Sequence, residues 1–312
     1  MLKMGESIQV GDVHYTVQRE LGSGRFGSVW LGLDMTAPAN KVIREHQARY
    51  RAAALKVLKR DSDFDFSEAV NHGLRCRSEL PPDLSISNSL APKLISHGAV
   101  EIACTEFIEG PMVRTIIGQL RRAQDSELED RRLEEALLLG KRLMEMAGEL
   151  LDAGVIHSDM NPRNIVVTPA GKPKAVDIDF LRRVTDMPIK KNGVPVRIGS
   201  ERYISPEVKD GPGYSRVSDL YAISGIVRDL VNVAAGRSLR DASLMFGRRD
   251  LQALISYFPS SLQERFFGLI QCVVEGLNPI PEKRPQNSTE IRDLMHQEAL
   301  RTSEPAPALK VS

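Results

Sequence analysis

The hydrophobic pattern of this chain changes character once, near residue 110, and that change limits the fold more than any single motif. From Tyr15 to about Ile108 the runs YTVQREL, SVWLGL, AAALKVL, KLISHG and EIACTEFI are short and apolar or alternating, as strands are. One helical candidate interrupts them, FSEAVNHGLRCRSEL from Phe66 to Leu80. It stops at Pro81-Pro82, because the first proline disfavours helical geometry in Leu80 and neither ring has an N–H to donate. After Gly110-Pro111 helical spacing takes over, as in LEEALLLGKRLMEMAGELLDAG, which ends at Gly154. A chain of 312 residues exceeds the ~100–200 of a common domain, so two lobes are expected. The pattern predicts an α+β fold with a small β-rich lobe over residues 15–108, holding one main helix, and a larger, mostly helical lobe over 109–301. Residues 1–14 read as an N-terminal extension and 302–312 as a disordered tail. Two stretches read as inserted surface loops, Asp34–Tyr50 and Pro81–Ser89.

Composition lends no support to several function classes. Lys+Arg 42 against Asp+Glu 41 leaves a formal charge of +1, so no electrostatic footprint marks nucleic acid or an anionic membrane as a partner, and neither is expected. The basic stretch Lys41–Arg51 reads as a solvated face or a docking surface. Three scattered cysteines, Cys76, Cys104 and Cys272, suit neither a disulfide framework nor a zinc site, and a reducing cytoplasm is the simplest setting. The N-terminus has no apolar signal-like run, and no stretch approaches the ~20 apolar residues that cross a bilayer.

The residues that carry chemistry are spread along the chain. LGSGRFGSVW places Gly22, Gly24 and Gly27 between two strand-like runs, where glycines suit either an ordinary hairpin or a backbone that approaches phosphate oxygens. A dinucleotide turn is disfavoured, since Ser28-Val29-Trp30-Leu31 continues as a strand and not as a helix. Lys56 lies in the apolar run AAALKVL, where an ammonium either finds an anion or snorkels to solvent. In HSDMNPRN, His157 to Asn164, Asp159 suits a group that orients or accepts a hydroxyl proton, and Asn164 offers a neutral oxygen to a metal. Thirteen residues after Asn164, Asp177 in KAVDIDF supplies the carboxylate that a hard cation such as Mg2+ needs.

In this order and spacing the chain resembles the eukaryotic-like protein kinases over roughly residues 15–300. The resemblance implies the bilobal kinase fold, with ATP and Mg2+ held between the lobes. GSGRFGSV is similar to the loop over the ATP phosphates, and AALK to the strand whose Lys56 contacts the α- and β-phosphates. TEFIEG is similar to the hinge, where the backbone of Glu106 and Ile108 would bind adenine and Thr105 would guard the inner pocket. The nucleotide site so implied comprises Leu21, Gly22, Gly24, Gly27, Val29, Ala54, Lys56, Glu68, Glu106, Ile108 and Val166. The catalytic set is Asp159, Lys56, Asn164 and Asp177, with Asn164 and Asp177 as metal ligands. GSERYISPE resembles the end of an activation segment, Asp219 stands where the family braces the catalytic loop, and Arg284 in PEKRP would pair with Glu207. The helix carboxylate partner of Lys56 is Glu68 or Glu79, and Glu68 is preferred.

Departures from the family pattern sharpen the expectations. Ser158 replaces the arginine that receives an activation-segment phosphate, so activity without a loop phosphate is expected. Ile178 and Asp179 replace the usual Phe-Gly, which stiffens the segment and adds a carboxylate near the metal; Asp179-Phe180 is the other frame. Asn161 stands where Ser/Thr-directed members carry lysine, and Arg163 echoes tyrosine-directed ones. The favoured function is phosphoryl transfer to a protein Ser or Thr. The alternatives are a small-molecule kinase of the aminoglycoside or choline type, which the protein-substrate motifs oppose, and a pseudokinase scaffold, which the complete catalytic set opposes.

Overall fold

The computed structural model describes residues 2–24, 26–34, 52–59, 66–122, 129–186, 190–191, 194–211, 213–236 and 258–297. Most of the 34–50 stretch, the basic residues 41–51 and the 302–312 tail lie outside these.

The small lobe is an antiparallel sheet of β1 (Ser7–Val10), β2 (Val13–Ser23), β3 (Gly27–Asp34), β4 (Ala52–Leu58), β5 (Ile95–His97) and β6 (Val100–Glu106), with α1 (Ser67–Ser78) before β5. The spatial order is β1-β2-β3-β4-β6-β5. Period-two alternation in β4 buries Ala53, Leu55 and Val57 in the lobe's core and turns Ala54 and Lys56 to the opposite face. The register sets Lys56 beside Val29 of β3 and Ala103 of β6. β1 pairs with β2 and buries Ile8 and Val10 in the same core, so part of residues 1–14 belongs to the sheet. Helix α1 buries Val70, Gly73, Leu74 and Arg77, an i, i+3, i+4, i+7 face.

The large lobe contains α2 (Val113–Arg122), α3 (Glu129–Asp152), β7 (Val155–Ile156), β8 (Ile165–Val167), β9 (Pro173–Ala175), β10 (Arg182–Arg183), β11 (Lys190–Lys191) and β12 (Val194–Pro195). It continues with α4 (Pro206–Lys209), α5 (Ser218–Ala234), α6 (Ser260–Gly276), a 3-10 turn at Pro281–Lys283 and α7 (Ser288–Met295). Helix α5 is buried along nearly its whole length and packs on α3 and α6, which makes it the axis of the lobe. β8 pairs with β9 and β7 with β10, two short ribbons that fix both ends of the 157–164 loop. Among the described residues no helix is long and apolar enough to cross a membrane, and Cys76, Cys104 and Cys272 are free and buried.

One expectation is corrected. Pro81–Ser89 is not an inserted surface loop: Leu84, Ser85, Ile86 and Ser87 are buried. The cause is Arg77, 1% exposed, whose guanidinium donates to the carbonyls of Leu80, Pro81, Pro82, Ile86 and Ser87 and to Asn88 Oδ1 at 2.6 Å. Five N–H donors need acceptors, and the segment wraps to supply them. Ser87 N then donates to Ala175 O, and Ala175 N to Ser85 O, which fastens α1 and its following turn to β9 of the other lobe.

Glu207 and Arg284 form a buried ion pair in the large lobe. Both Nη atoms of Arg284 donate to the carboxylate at 2.7 Å, while Ser215 and Ser218 hydroxyls donate to Oε1. Burial pushes the Glu207 carboxyl up, but the Arg284 hydrogen bonds and charge outweigh it and hold it at about 2. Arg284→Met is expected to lose about 3–5 kcal/mol of unfolding free energy in urea, since it strands a buried carboxylate. Because the folded value lies below the ordinary 4.5, the pair contributes fully above that pH and fades as pH falls towards about 2. A stability-pH curve for Glu207→Gln should be flatter across that window; an unchanged slope would contradict the assignment.

Candidate active site

Gly22, Lys56, residues of the 105–110 stretch, Asn164 and Asp177 meet at a cavity of about 320 Å³ between the lobes. Of the residues expected there, Leu21, Gly22, Val29, Ala54, Lys56, Glu106, Ile108, Asn164, Val166 and Asp177 line it. Gly24, Gly27, Glu68 and Asp159 do not. Ala103, Met112, Arg163 and Val176 also line it, the first because it stands beside Lys56 in the sheet and Met112 because it bridges to Val166.

The three glycines of the β2–β3 hairpin have different reasons to be glycine. A Cβ on Gly22 or Gly24 would meet nothing within 4 Å, so these positions leave open backbone facing space. A Cβ on Gly27 would stand 2.2 Å from Val57 O, so that glycine lets β3 lie against β4. At the turn, Gly24 N donates to Gly27 O, and Lys59 Nζ donates to Gly24 O at 2.9 Å. Phe26, at the hairpin tip, makes edge-on ring contacts with Phe66 and Phe180, centroids 4.6 and 5.4 Å away.

At the hinge the Glu106 N–H already donates to Asn88 O. A ligand could therefore use only the Glu106 carbonyl, together with Ile108. The Glu106 side chain points into the body of the protein, where it accepts from Asn88 N and Nδ2 and pairs with Lys174 at 3.3 Å, both partners being buried.

Asp219, at the start of α5, accepts from the backbone N–H groups of His157 and Ser158 and so anchors the loop. Ser158 holds φ 73°, a left-handed conformation that those two hydrogen bonds stabilise. The His157 ring nitrogen Nε2 faces Val176 O at 2.9 Å, and because a carbonyl only accepts, this nitrogen carries the proton. Asp159 Oδ1 accepts from Asn161 Nδ2 at 3.0 Å and Ser200 Oγ at 3.2 Å, and Oδ2 accepts from Asn164 Nδ2 at 3.1 Å. Burial raises the Asp159 carboxyl above its ordinary range, the nearby Asp177 charge adds to this, and the His157 charge and Asn161 hydrogen bond only partly oppose it. Both amide hydrogen bonds of Asn164 use Nδ2, which leaves Oδ1, the atom a hard cation prefers, outside that network.

Asp177 adopts φ 64°, and its side chain is 35% exposed towards the cavity. Lys56 Nζ lies 2.6 Å from Asp177 Oδ1 and 2.5 Å from Asp179 Oδ2. Burial pushes the ammonium down, but the charges of Asp179 and Asp177 more than compensate and hold it well above its ordinary value. Asp177 is held low by Lys56 against its burial, while burial and the Asp177 charge raise Asp179 to about 7.

The expected pairing of Lys56 with Glu68 is corrected here. Glu68 is exposed in the first turn of α1, and Glu79 pairs with Arg183 at the other end. The α1 residue that abuts the 177–179 segment is Gly73, where a Cβ would stand 2.2 Å from Ile178 O. The helix thus meets that segment with bare backbone, and the lysine takes its carboxylates from Asp177 and Asp179.

A profile of the family described as protein tyrosine and serine/threonine kinase matches residues 15–236. The chain belongs to this protein kinase family. Among its curated relatives, the serine/threonine-protein kinase PknA of Mycobacterium tuberculosis is 27% identical over 221 residues, covering 68% of this chain and 45% of PknA. The serine/threonine-protein kinase pkn2 of Myxococcus xanthus is 26% identical over 301 residues, 91% of this chain and 32% of pkn2. A probable serine/threonine-protein kinase of Streptomyces coelicolor is 23% identical over 266 residues, 81% of this chain and 37% of that protein. The chain spans less than half the length of each of these.

Sequence reasoning on this kinase-family chain missed the cluster around Asp229. That carboxylate, fully buried in α5, accepts from Arg202 Nε at 2.6 Å and Nη2 at 3.0 Å, from Tyr203 Oη at 3.0 Å and from Arg228 Nε at 2.8 Å. Its signal was an Arg-Asp pair inside the apolar run of a helix, where a charge must have partners.

Gly73→Ala is expected to destabilise the fold by about 1–3 kcal/mol in chemical denaturation, because α1 or the 177–179 segment must move. Gly118→Ala, in α2 with nothing within 4 Å, should instead be neutral or stabilising by up to about 1 kcal/mol. Equal effects at the two positions would contradict the close approach.

Proposed function

We propose that this protein transfers the γ-phosphoryl group of ATP, taken as its Mg2+ complex, to a protein serine or threonine hydroxyl. The observation that carries the reading is the convergence of Lys56, Asn164 and Asp177 on one cleft, with Asp159 bonded to Asn164 and Ser200 at its edge. The walls contributed by Leu21, Val29, Ala54, Ile108 and Val166 suit a purine, with the Glu106 carbonyl at the hinge. Asp177 and Asn164 Oδ1 are hard oxygen donors and fit Mg2+, which keeps waters and phosphate oxygens as its other ligands. When bound, the ion neutralises charge on the phosphates. Lys56 holds phosphate oxygens, and the raised carboxylate of Asp159 orients the acceptor hydroxyl and accepts its proton.

Support for a protein acceptor, over a small molecule, comes from the Gly199–Glu207 segment. It is fixed beside Asp159 by the Ser200 hydrogen bond, by Arg202 and Tyr203 on Asp229, and by Glu207 on Arg284. The names of the relatives favour serine or threonine. A scaffold without catalysis is disfavoured, because each of the four polar groups has the partners its role requires. The segment also has phosphate-free anchors. Ser158 Oγ donates to Phe180 O, the buried Arg182 stacks 4.3 Å over the Tyr214 ring, and the Tyr214 hydroxyl lies between Ser158 O and the Ile198 backbone. A cytoplasmic setting is favoured by the three unpaired, buried cysteines.

Asp159→Asn is expected to lower turnover by roughly 100-fold or more while Mg-ATP affinity stays within a few-fold. Turnover near the wild-type rate would overturn the role given to Asp159. Protein freed of phosphate by phosphatase, with mass confirmed, should phosphorylate a protein acceptor at the same rate as untreated protein; loss of activity would contradict phosphate-free ordering.

A further inference from the structure

We propose that Asp179 is a positioning residue for Lys56, the carboxylate that holds the ammonium in place while Asp177 serves the metal. This rests on the kinase reading above. Lys56 sits in a strand among apolar neighbours with its side chain 12% exposed, so it needs a permanent counter-charge. Among the described residues two carboxylates reach it, and they differ. Asp177 is 35% exposed and opens onto the cavity beside Asn164, as a metal ligand must. Asp179 has a side chain only 5% exposed, and Lys56 is the cation it meets, at 2.5 Å. When Asp177 turns to a metal, Asp179 is, among the described residues, the acid left within reach of Nζ.

The helix offers no substitute. Glu68 is its one acidic residue and is exposed, and where α1 abuts the segment it presents Gly73. The chain therefore carries the lysine's anchor and the metal's carboxylate on one segment, two residues apart. The position of Lys56 then does not require α1 to swing into contact with it, and the ion pair survives as long as the 177–179 segment keeps its shape.

The test is a double-mutant cycle on the full chain with steady-state kinetics and calorimetric Mg-ATP binding. Asp179→Asn should lower kcat/KM for Mg-ATP by roughly tenfold or more and weaken Mg-ATP binding in the Lys56 protein, and should do neither in Lys56→Met. Asp179→Glu should recover part of the loss, and the half-saturating Mg2+ concentration should not move. Asp179→Gly gives the same cycle if the asparagine variant fails to fold, as a thermal melt reports. Equal losses with and without Lys56 would overturn the proposal, as would a raised Mg2+ requirement, which makes Asp179 a metal ligand. Wild-type rates in Asp179→Asn would overturn this inference alone; an inactive wild-type protein would overturn the kinase reading with it.

Discussion

An ammonium buried under a β-sheet has to be neutralised, and the way Lys56 is neutralised organises the whole cleft. Its strand, β4, turns Lys56 away from the small lobe's core by simple alternation. Its partners, Asp177 and Asp179, come from the large lobe, so the ion pairs join the lobes across the site. Two acids so close together would repel strongly without the cation between them. Lysine and carboxylates therefore hold each other in a low-exposure space that a triphosphate and a metal could enter by exchanging partners.

The same use of buried charge recurs away from the cleft. Asp219 satisfies two backbone N–H groups of the 157–164 loop, Arg77 collects the carbonyls after α1, Asp229 gathers two arginines and a tyrosine, and Arg284 closes on Glu207. Each of these fixes at least one irregular segment: the 157–158 turn, the 80–88 turn, the 202–203 stretch and the loop that carries Arg284. Loops lack their own ladder of hydrogen bonds, so a buried ion with several donors or acceptors is an economical way to give them one shape. The cost is desolvation, which these groups offset only because every one has multiple partners.

What was readable in the sequence follows from range. The β4 strand was legible to its ends because AAALKVL is a short apolar run broken only by Lys56, and the HSDMNPRN loop because its polar groups interact within five residues of one another. The turn of Pro81–Ser89 was not, since nothing in PPDLSISNS announces a fully buried arginine at position 77 as its template. The Lys56 partner failed for a related reason: a helix glutamate at a suitable place in the chain says nothing about how the helix is rotated, and Gly73, not Glu68, faces the segment. The extra acid in DID was visible, but its contact with Lys56 depends on the left-handed turn at Asp177, a tertiary fact.

On the proposed function, one cleft exchanges a lysine–carboxylate cluster for Mg-ATP without help from α1. A crystal structure with Mg2+ and a non-hydrolysable ATP analogue tests it most directly. The expected result is a metal on Asp177 and Asn164, with Lys56 touching a phosphate oxygen and still within hydrogen-bond distance of Asp179. A Lys56 side chain paired with Glu68, or a nucleotide bound away from these four residues, would contradict it.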